Sequence, residues 1–278
     1  MVRFITLPVY RYKPRPIEPL RLSPNSVATF LRCRRRYKYV YIDRLGDRFP
    51  KPRPYYTMAN HVHATLSDLL SKVPVDLRTA KTAERILRKK WRRFRVGFRD
   101  GADEERWWEK ALSQVLWFVE SCDVSVRPLM VEREIQAQVT PGLLLVARID
   151  RVDRLPGGGL HVIDYKTGIP PEEPDWLQLE LYALALSLRV RREPVAKVSY
   201  LFLGTHCQES KDISPGDLRR ARWELMSVAR KIKRAKAFSP SPGPWCSFCE
   251  FTSICSAAKP APEEIRPQLG LWDYWQAT

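Results

Sequence analysis

Apolar residues recur at helical spacing in the first half of the chain and at strand spacing in the middle. The helical spacing predicts helices at about 26–45, 59–73, 79–97 and 103–121. Runs of β-branched residues bounded by Pro-Gly and PGGG predict strands at 131–139, 143–154 and 160–166. A helix at 175–190, a strand at 196–204 and a basic helix at about 215–237 are predicted to follow. This order of elements indicates one α/β core with a helical insertion.

The same pattern divides the chain into segments of different composition. They are a basic, Pro-rich arm at 1–22, a helical segment at 23–73, a helical insertion at 74–128, an α/β core at 129–238 and a Cys-rich segment with a tail at 239–278. No internal repeat is present in the sequence.

The chain is strongly basic, with 48 Lys and Arg against 31 Asp and Glu and a net charge of +17. Such a charge attracts polyanions, so nucleic acid is the first partner to consider. Two clusters mix cations with aromatic residues: Arg32, Arg34, Arg35, Arg36, Tyr37 and Lys38, then Lys89, Lys90, Trp91 and Arg92. Cations beside stacking rings suit single-stranded nucleic acid. The alternative is a solvated helix face with buried aromatic rings.

Membrane and export signals are not evident in the sequence. It contains no apolar run of about 18 residues, and the first 25 residues lack the features of a signal peptide. We therefore expect a cytoplasmic protein without a membrane partner. In a reducing compartment, clustered cysteines bind a metal more often than they form disulfides.

The stretch HVIDYKTG at 161–168 carries unusual charges for a strand that enters a core. Alternation along a strand places Asp164 and Lys166 on one face. If 155–159 form the turn, Asp150 lies directly opposite Asp164. Opposed carboxylates are destabilising unless a cation lies between them, and Mg²⁺ or Mn²⁺ prefers such oxygen ligands. The alternative is a set of exposed charges with an Asp164–Lys166 ion pair.

ARIDRVDR followed by HVIDYKTG resembles the PD-(D/E)XK nuclease superfamily, and specifically its RecB-like branch. Further motifs match in order: ANHVHATL places His63 at the metal-ligand histidine, VEREI places Glu132 at an acidic strand position, and QLELY places Gln178 and Tyr182 in a Q-x-x-x-Y helix. His61 and His63 lie roughly 200° apart on a helix, so only one of them faces the metal, and the resemblance selects His63. Ala59 stands where the branch usually has glycine. The resemblance covers about 23–256.

The resemblance implies a restriction-endonuclease-like fold, in which helices flank a mixed central sheet. It implies a metal-dependent DNA exonuclease that acts on single strands or DNA ends, in recombination and repair or in CRISPR adaptation, with a helicase or an integrase as a possible partner. The implied catalytic residues are Asp150, Asp164, Lys166, Gln178 and Tyr182. The implied ligands of Mg²⁺ or Mn²⁺ are His63, Glu132, Asp150, Asp164 and the Tyr165 carbonyl. The alternative is a catalytically silent, nuclease-like scaffold subunit that binds DNA.

Three cysteines near the C-terminal end, Cys246, Cys249 and Cys255, have the spacing of metal ligands. A fourth ligand must come from elsewhere, and Cys33 is the candidate. In the RecB-like branch this arrangement holds a [4Fe-4S] cluster that joins the two ends of the chain, although Arg34 stands where proline often follows the first cysteine. Zinc is the alternative, since four thiolates suit either metal. Cys122 and Cys207 have no partners at ligand spacing.

Overall fold

The computed structural model describes residues 18–49, 53–190 and 192–257. The helices are α1 (Pro24–Arg32), α2 (Arg34–Tyr37), α3 (Pro54–Lys72), α4 (Ala80–Trp91), α5 (Gly101–Ser121), α6 (Leu177–Arg189) and α7 (Pro215–Arg234). The strands are β1 (Leu20–Leu22), β2 (Met130–Thr140), β3 (Leu143–Arg154), β4 (Leu160–Lys166), β5 (Val195–Phe202) and β6 (Cys207–Asp212). A π-helix at Lys38–Ile42 and 3₁₀ turns at Gly46–Arg48, Val75–Leu77 and Pro244–Phe248 complete the described part.

All described strands belong to one mixed sheet. Its order is β1-β3-β4-β5-β6, and β2 pairs with the other edge of β3. β1 and β4 share one edge of β3: β1 runs parallel to its first residues and β4 antiparallel to its last ones. β4 and β5 are parallel, and α6 connects them. This arrangement places β4, which carries the charged stretch, in the middle of the sheet.

The PGGG turn sets the register in which β3 pairs with β4. Gly158 and Gly159 have φ values of +91° and +85°, a region that residues with a side chain rarely adopt. A Cβ at Gly159 would also come within 2.9 Å of the Ala196 side chain. Arg154 pairs with Leu160 across this turn, which confirms the register predicted from the loop length.

Helices cover both faces of the sheet, and each interface has its own apolar core. On one face α1, α6 and α7 pack against alternate residues of the strands, such as Val162 and Val198. On the other face α3, α4 and α5 pack against residues of opposite parity, such as Ile163 and Tyr165. The insertion predicted at 74–128 thus contributes α4 and α5 to the second core.

The predicted continuous helix at 26–45 is wrong at one point. Cys33 has extended backbone angles (φ −151°, ψ 107°), so it ends α1 and precedes α2. The break lets the Tyr37 ring turn back onto Phe30, with ring centroids 5.3 Å apart. No proline or glycine marks this position, so local signals could not predict it.

Two short strands were absent from the sequence prediction. β1 lies inside the segment predicted as an extended arm at 1–22, and it forms by pairing with a distant strand. β6 has the polar sequence CQESKD and pairs with β5 alone, at the edge of the sheet. An edge strand without apolar alternation gives no local signal. No helix among the described residues is long and apolar enough to cross a membrane.

Candidate active site and metal centre

Asp150 and Asp164 lie just beyond the paired part of β3 and β4. The last pair of the ladder is Arg151 with Ile163, and the two aspartates occupy the next position on each strand. The Tyr165 backbone N–H donates a hydrogen bond to Asp150 Oδ2 at 2.8 Å. The Asp150 carboxylate is therefore held by the backbone of β4.

Asp164 and Lys166 form a buried ion pair that α6 supports. Lys166 Nζ lies 2.7 Å from Asp164 Oδ2 and donates to Gln178 Oε1 at 3.0 Å. Gln178 Nε2 lies 3.4 Å from Asp164 Oδ1 and 3.0 Å from Tyr182 Oη. Gln178 and Tyr182 are one helical turn apart, so they share the helix face that meets β4. Four of the five predicted catalytic residues thus lie in one connected network, and Asp150 adjoins it through the Tyr165 N–H.

A compact group of possible metal ligands adjoins this pair. His63 Nδ1 from α3 lies 3.4 Å from Asp150 Oδ2 and 3.7 Å from Glu132 Oε1. Among the described residues, this is the one group of three metal-ligand side chains whose donor atoms all lie within 4.8 Å of one another. Glu132 has a φ of +48°, a left-handed conformation that costs a residue with a side chain about 1–2 kcal/mol. This strained backbone accompanies the placement of the Glu132 carboxylate beside His63.

The electrostatics of this group favour a cation between the carboxylates. Burial lowers the pKa of His63, but Asp150 and Glu132 outweigh burial and raise that pKa to about 10. Burial raises the pKa of Asp150, but the neighbouring His63 outweighs it and the net pKa is lowered. Burial raises the pKa of Asp164 to about 6, against the opposing effect of Lys166.

The donor set fits a divalent ion. Two carboxylates and one imidazole converge on one point, and oxygen-rich sites of this kind suit Mg²⁺ or Mn²⁺. Asp164 lies outside the compact group because its carboxylate faces Lys166. Tyr165, predicted to contribute its carbonyl, adjoins the group through its N–H bond to Asp150.

An open cavity of about 550 Å³ gives access to these residues. Its lining also includes Asn25, Asp68, Lys90 and Arg148. Lys90 Nζ lies 2.6 Å from Asp68, and Arg148 Nε donates to Glu132 Oε2 at 2.8 Å. Apart from Lys90, these residues were missed by the sequence reasoning, because they reach the cavity from separate elements.

His61, two residues before His63 on α3, packs beside the second core instead. Its Nε2 lies 2.8 Å from the Phe94 carbonyl oxygen, and its ring lies against Trp91. Burial lowers its pKa. The structure thus places His63, and not His61, in the cavity.

The predicted DNA-binding residues of the first cluster divide into exposed and packed side chains. Arg34 is exposed, whereas Arg35 donates to the Phe238 carbonyl at 2.8 Å. Arg36 and Lys38 lie in ion pairs with Glu250 and Asp43. Tyr37 is buried in the first core, so a base has no access to its ring. Tyr37 is therefore not part of the DNA surface that we propose.

The second cluster divides in the same way. Lys89 and Arg92 are exposed, and Lys90 lines the cavity. Trp91 is buried, and its Nε1 donates to Glu104 Oε1 at 2.9 Å. Its helical position faces the second core, so the prediction that it stacks on bases is not supported. The alternative of a solvated helix face with a buried aromatic ring describes this cluster better.

The four candidate cluster cysteines meet although they are far apart in sequence. Cys33, Cys246, Cys249 and Cys255 all line one small cavity. The surrounding segments are also joined by protein contacts: Arg36 pairs with Glu250 at 3.1 Å, and the buried Phe251 ring packs against Tyr39 and Phe49. Cys122 and Cys207 lie elsewhere, next to the second and first cores respectively.

A comparison with protein-family models agrees with this geometry. A protein-family model described as the PD-(D/E)XK nuclease superfamily matches residues 21–256. A search of curated proteins found no match. One matching solved structure, titled "Crystal structure of SSO0001", is 13% identical, with an alignment that covers 86% of this chain and 87% of that chain at a TM-score of 0.41.

The fold agrees with the family match. A six-stranded mixed sheet flanked by helices is consistent with the restriction-endonuclease-like fold, as predicted. The matched range contains His63, both central aspartates, Lys166 and the cysteines. The chain belongs to the PD-(D/E)XK nuclease superfamily.

Proposed function

We propose that this chain is a metal-dependent exonuclease that hydrolyses phosphodiester bonds of single-stranded DNA or of DNA ends. Membership of the superfamily supports a nuclease with DNA as its substrate. The observation that carries the proposal is the convergence of His63, Glu132 and Asp150 beside the Asp164–Lys166 pair in one open cavity.

His63, Glu132 and Asp150 are the residues that would hold Mg²⁺ or Mn²⁺, with Asp164 and the Tyr165 carbonyl beside them. Such an ion polarises a phosphoryl oxygen and lowers the pKa of a bound water molecule.

Lys166 supplies a positive charge beside Asp164. Its ammonium can donate a hydrogen bond to the attacking water or to the negative charge that develops on the phosphate. Gln178 accepts from Lys166 and therefore fixes the direction of the ammonium. Tyr182 meets the Gln178 amide and in turn fixes that side chain. We propose that Gln178 and Tyr182 are positioning residues.

The test is hydrolysis of an end-labelled oligonucleotide by the purified chain. We expect shortened products from single strands with Mn²⁺ or Mg²⁺ and no products with EDTA. Circular single-stranded DNA serves as the control for end dependence, because an exonuclease leaves it intact. DNA binding without cleavage in any divalent ion would contradict the proposal and favour a silent scaffold subunit.

We also propose that Cys33, Cys246, Cys249 and Cys255 hold a [4Fe-4S] cluster that has a structural role. Four thiolates around one zinc ion lie about 3.8 Å apart, given Zn–S bonds of about 2.3 Å. In the described chain the thiols share a cavity but form no group of three within 4.8 Å. This wider arrangement is better matched to a cluster of several iron atoms than to one zinc ion.

Anaerobically purified protein is expected to be brown and to contain about four iron atoms per chain. Cys33→Ser should remove the colour, because it removes one ligand, whereas Cys122→Ser should retain it. Elemental analysis and the visible absorption spectrum provide the measurement. A colourless protein with one zinc ion per chain would contradict the iron-sulfur assignment.

The biological context that we propose is recombination and repair or CRISPR adaptation, with a helicase or an integrase as the partner. The support is the resemblance of the motifs to the RecB-like branch. The genes beside this one separate the two contexts, since an integrase gene in the same cluster would indicate adaptation.

A further inference from the structure

A second cavity, here called the flanking cavity, opens directly beside the active site. Its volume is about 470 Å³, within the range of about 300–1,000 Å³ that is typical of small-molecule sites. Asn25 and Gln178 line both cavities. Because Gln178 also contacts Lys166 and Asp164, the two cavities meet at a side chain of the active site.

The walls of the flanking cavity combine apolar and polar side chains. α1 contributes Pro24, Ala28 and Leu31, and the C-terminal segment contributes Pro242 and Trp245. The Trp245 indole is fixed, because its Nε1 donates to the Ser241 carbonyl at 3.0 Å and its ring lies against Gly243. The Arg32 guanidinium lies 5.8 Å from the centre of this ring. The guanidinium and the indole are two planar groups on which an aromatic ligand can stack.

Among the described residues, Arg32 and Asp175 are the charged ones that line the cavity, and Asp175 distinguishes between the two parts of a nucleotide. Asp175 lines the cavity, and its carboxylate accepts a hydrogen bond from the Leu177 N–H at 2.9 Å. A carboxylate at this end repels a phosphate but accepts hydrogen bonds from the amino groups of a base. The flat apolar wall and the acceptor therefore match a nucleobase better than a phosphodiester.

We propose that the flanking cavity receives an unpaired nucleobase next to the phosphodiester that lies at the carboxylates. This inference rests on the proposed nuclease function and adds its recognition element. A base in a duplex is stacked and paired, and entry into a pocket requires both interactions to break. The cavity thus selects single strands by shape, without requiring a particular sequence.

The chain segments that carry the cysteines also line the flanking cavity. Trp245 directly precedes Cys246 and lines the cysteine cavity as well as the flanking cavity. Arg32 directly precedes Cys33, and its guanidinium lies over the Trp245 ring. The two chain segments that the cysteines bring together therefore both line the nucleobase site.

Binding without catalysis tests this inference. Fluorescence anisotropy of a labelled single-stranded oligonucleotide and of its blunt duplex is measured in EDTA, so that cleavage does not contribute. Ala28→Leu fills the cavity from a helix that tolerates leucine, and Trp245→Ala removes its flat wall. The matched controls are Ala102→Leu, exposed on α5, and Trp223→Ala, which is 59% exposed on α7.

Both cavity variants should bind the single strand about 5- to 150-fold more weakly, the range found when a stacking residue is lost. Duplex binding should change little, and the controls should resemble the original protein. Equal losses for single strand and duplex, or unchanged binding of Ala28→Leu, would overturn the inference. Thermal unfolding of each variant shows that it is folded.

Failure of the two proposals is distinguishable. Cleavage that depends on Mn²⁺, with unchanged binding by both cavity variants, would overturn the nucleobase site and retain the nuclease. Selective loss of single-strand binding without any cleavage by the original chain would retain the nucleobase site and overturn the nuclease.

Discussion

Replacing Lys166 with Met is expected to lower the rate of Mn²⁺-dependent DNA cleavage by at least about 10²- to 10³-fold, the usual effect of losing one donor at a developing charge. The ammonium lies 2.7 Å from Asp164 and 3.0 Å from Gln178. Methionine retains most of the volume and none of the charge. Single-turnover cleavage of an end-labelled strand at saturating protein measures the change without a contribution from binding.

The same substitution should also destabilise the protein, since removing one partner from a buried ion pair costs about 3–5 kcal/mol. Asp164→Asn combined with Lys166→Met removes both charges and should recover part of that stability. It should recover no activity, which separates chemistry from folding. Lys197→Ala, on the neighbouring strand and outside the cavity lining, is the control and should retain full activity. Retained cleavage by a pure preparation of Lys166→Met would contradict the role of this lysine.

Replacing Arg78 with Ala is expected to lower the free energy of unfolding by at least about 3 kcal/mol. Arg78 is buried, and its guanidinium donates to the carbonyls of Leu70, Val73, Val124 and Val126 at 2.7–2.9 Å. It thereby joins the end of α3 to the segment after α5. Loss of the side chain leaves several buried carbonyls without this donor, which is more costly than the loss of exposed hydrogen bonds.

Thermal unfolding measures this effect, and the expected fall in Tm is about 6–12 °C for a protein of this size. Arg78→Lys should recover only part of the loss, because one ammonium cannot reproduce the geometry of a guanidinium fork. Arg85→Ala, exposed on α4, should change the unfolding free energy by no more than about 0.5 kcal/mol. Equal Tm values for Arg78→Ala and Arg85→Ala would show that the four carbonyl contacts contribute little.

The contacts of Arg78 also affect the candidate metal centre, because they hold the end of the helix that carries His63. α3 carries His63, and α4 and α5 pack against α3 in the second core. The position of His63 relative to Asp150 therefore depends on the helices from 74–128. Weaker metal binding is expected in any variant that loosens this core, even when all ligands are retained.

The predicted elements that agree best with the structure are those with a strong local signal. The strands predicted at 143–154 and 160–166 have the observed bounds, because β-branched runs end at a glycine-rich turn. The same turn sets the pairing of Arg154 with Leu160 and hence the approach of Asp150 to Asp164. Edge strands and the break at Cys33 carry no such signal, and they form only through contacts with distant residues.

The predicted site residues also divide into those with a local sequence signal and those without one. The neighbours that share a face, Asp164 with Lys166 and Gln178 with Tyr182, follow from strand and helix periodicity, and the structure brings all four into contact. Burial of Tyr37 and Trp91 could not be predicted in this way. An aromatic residue among cations has the same sequence pattern whether its ring faces solvent or the core.

The sequence by itself determined the β3–β4 turn, the charged face of β4 and the spacing of the cysteines, because each depends on backbone geometry within a few residues. Only the tertiary structure decided that Glu132 joins His63 and Asp150, that Lys90 reaches the active-site cavity and that Arg32 lies over Trp245 in the flanking cavity. Those contacts join residues from separate elements. Their distances are set by how helices pack on the two faces of the sheet, which no local pattern specifies.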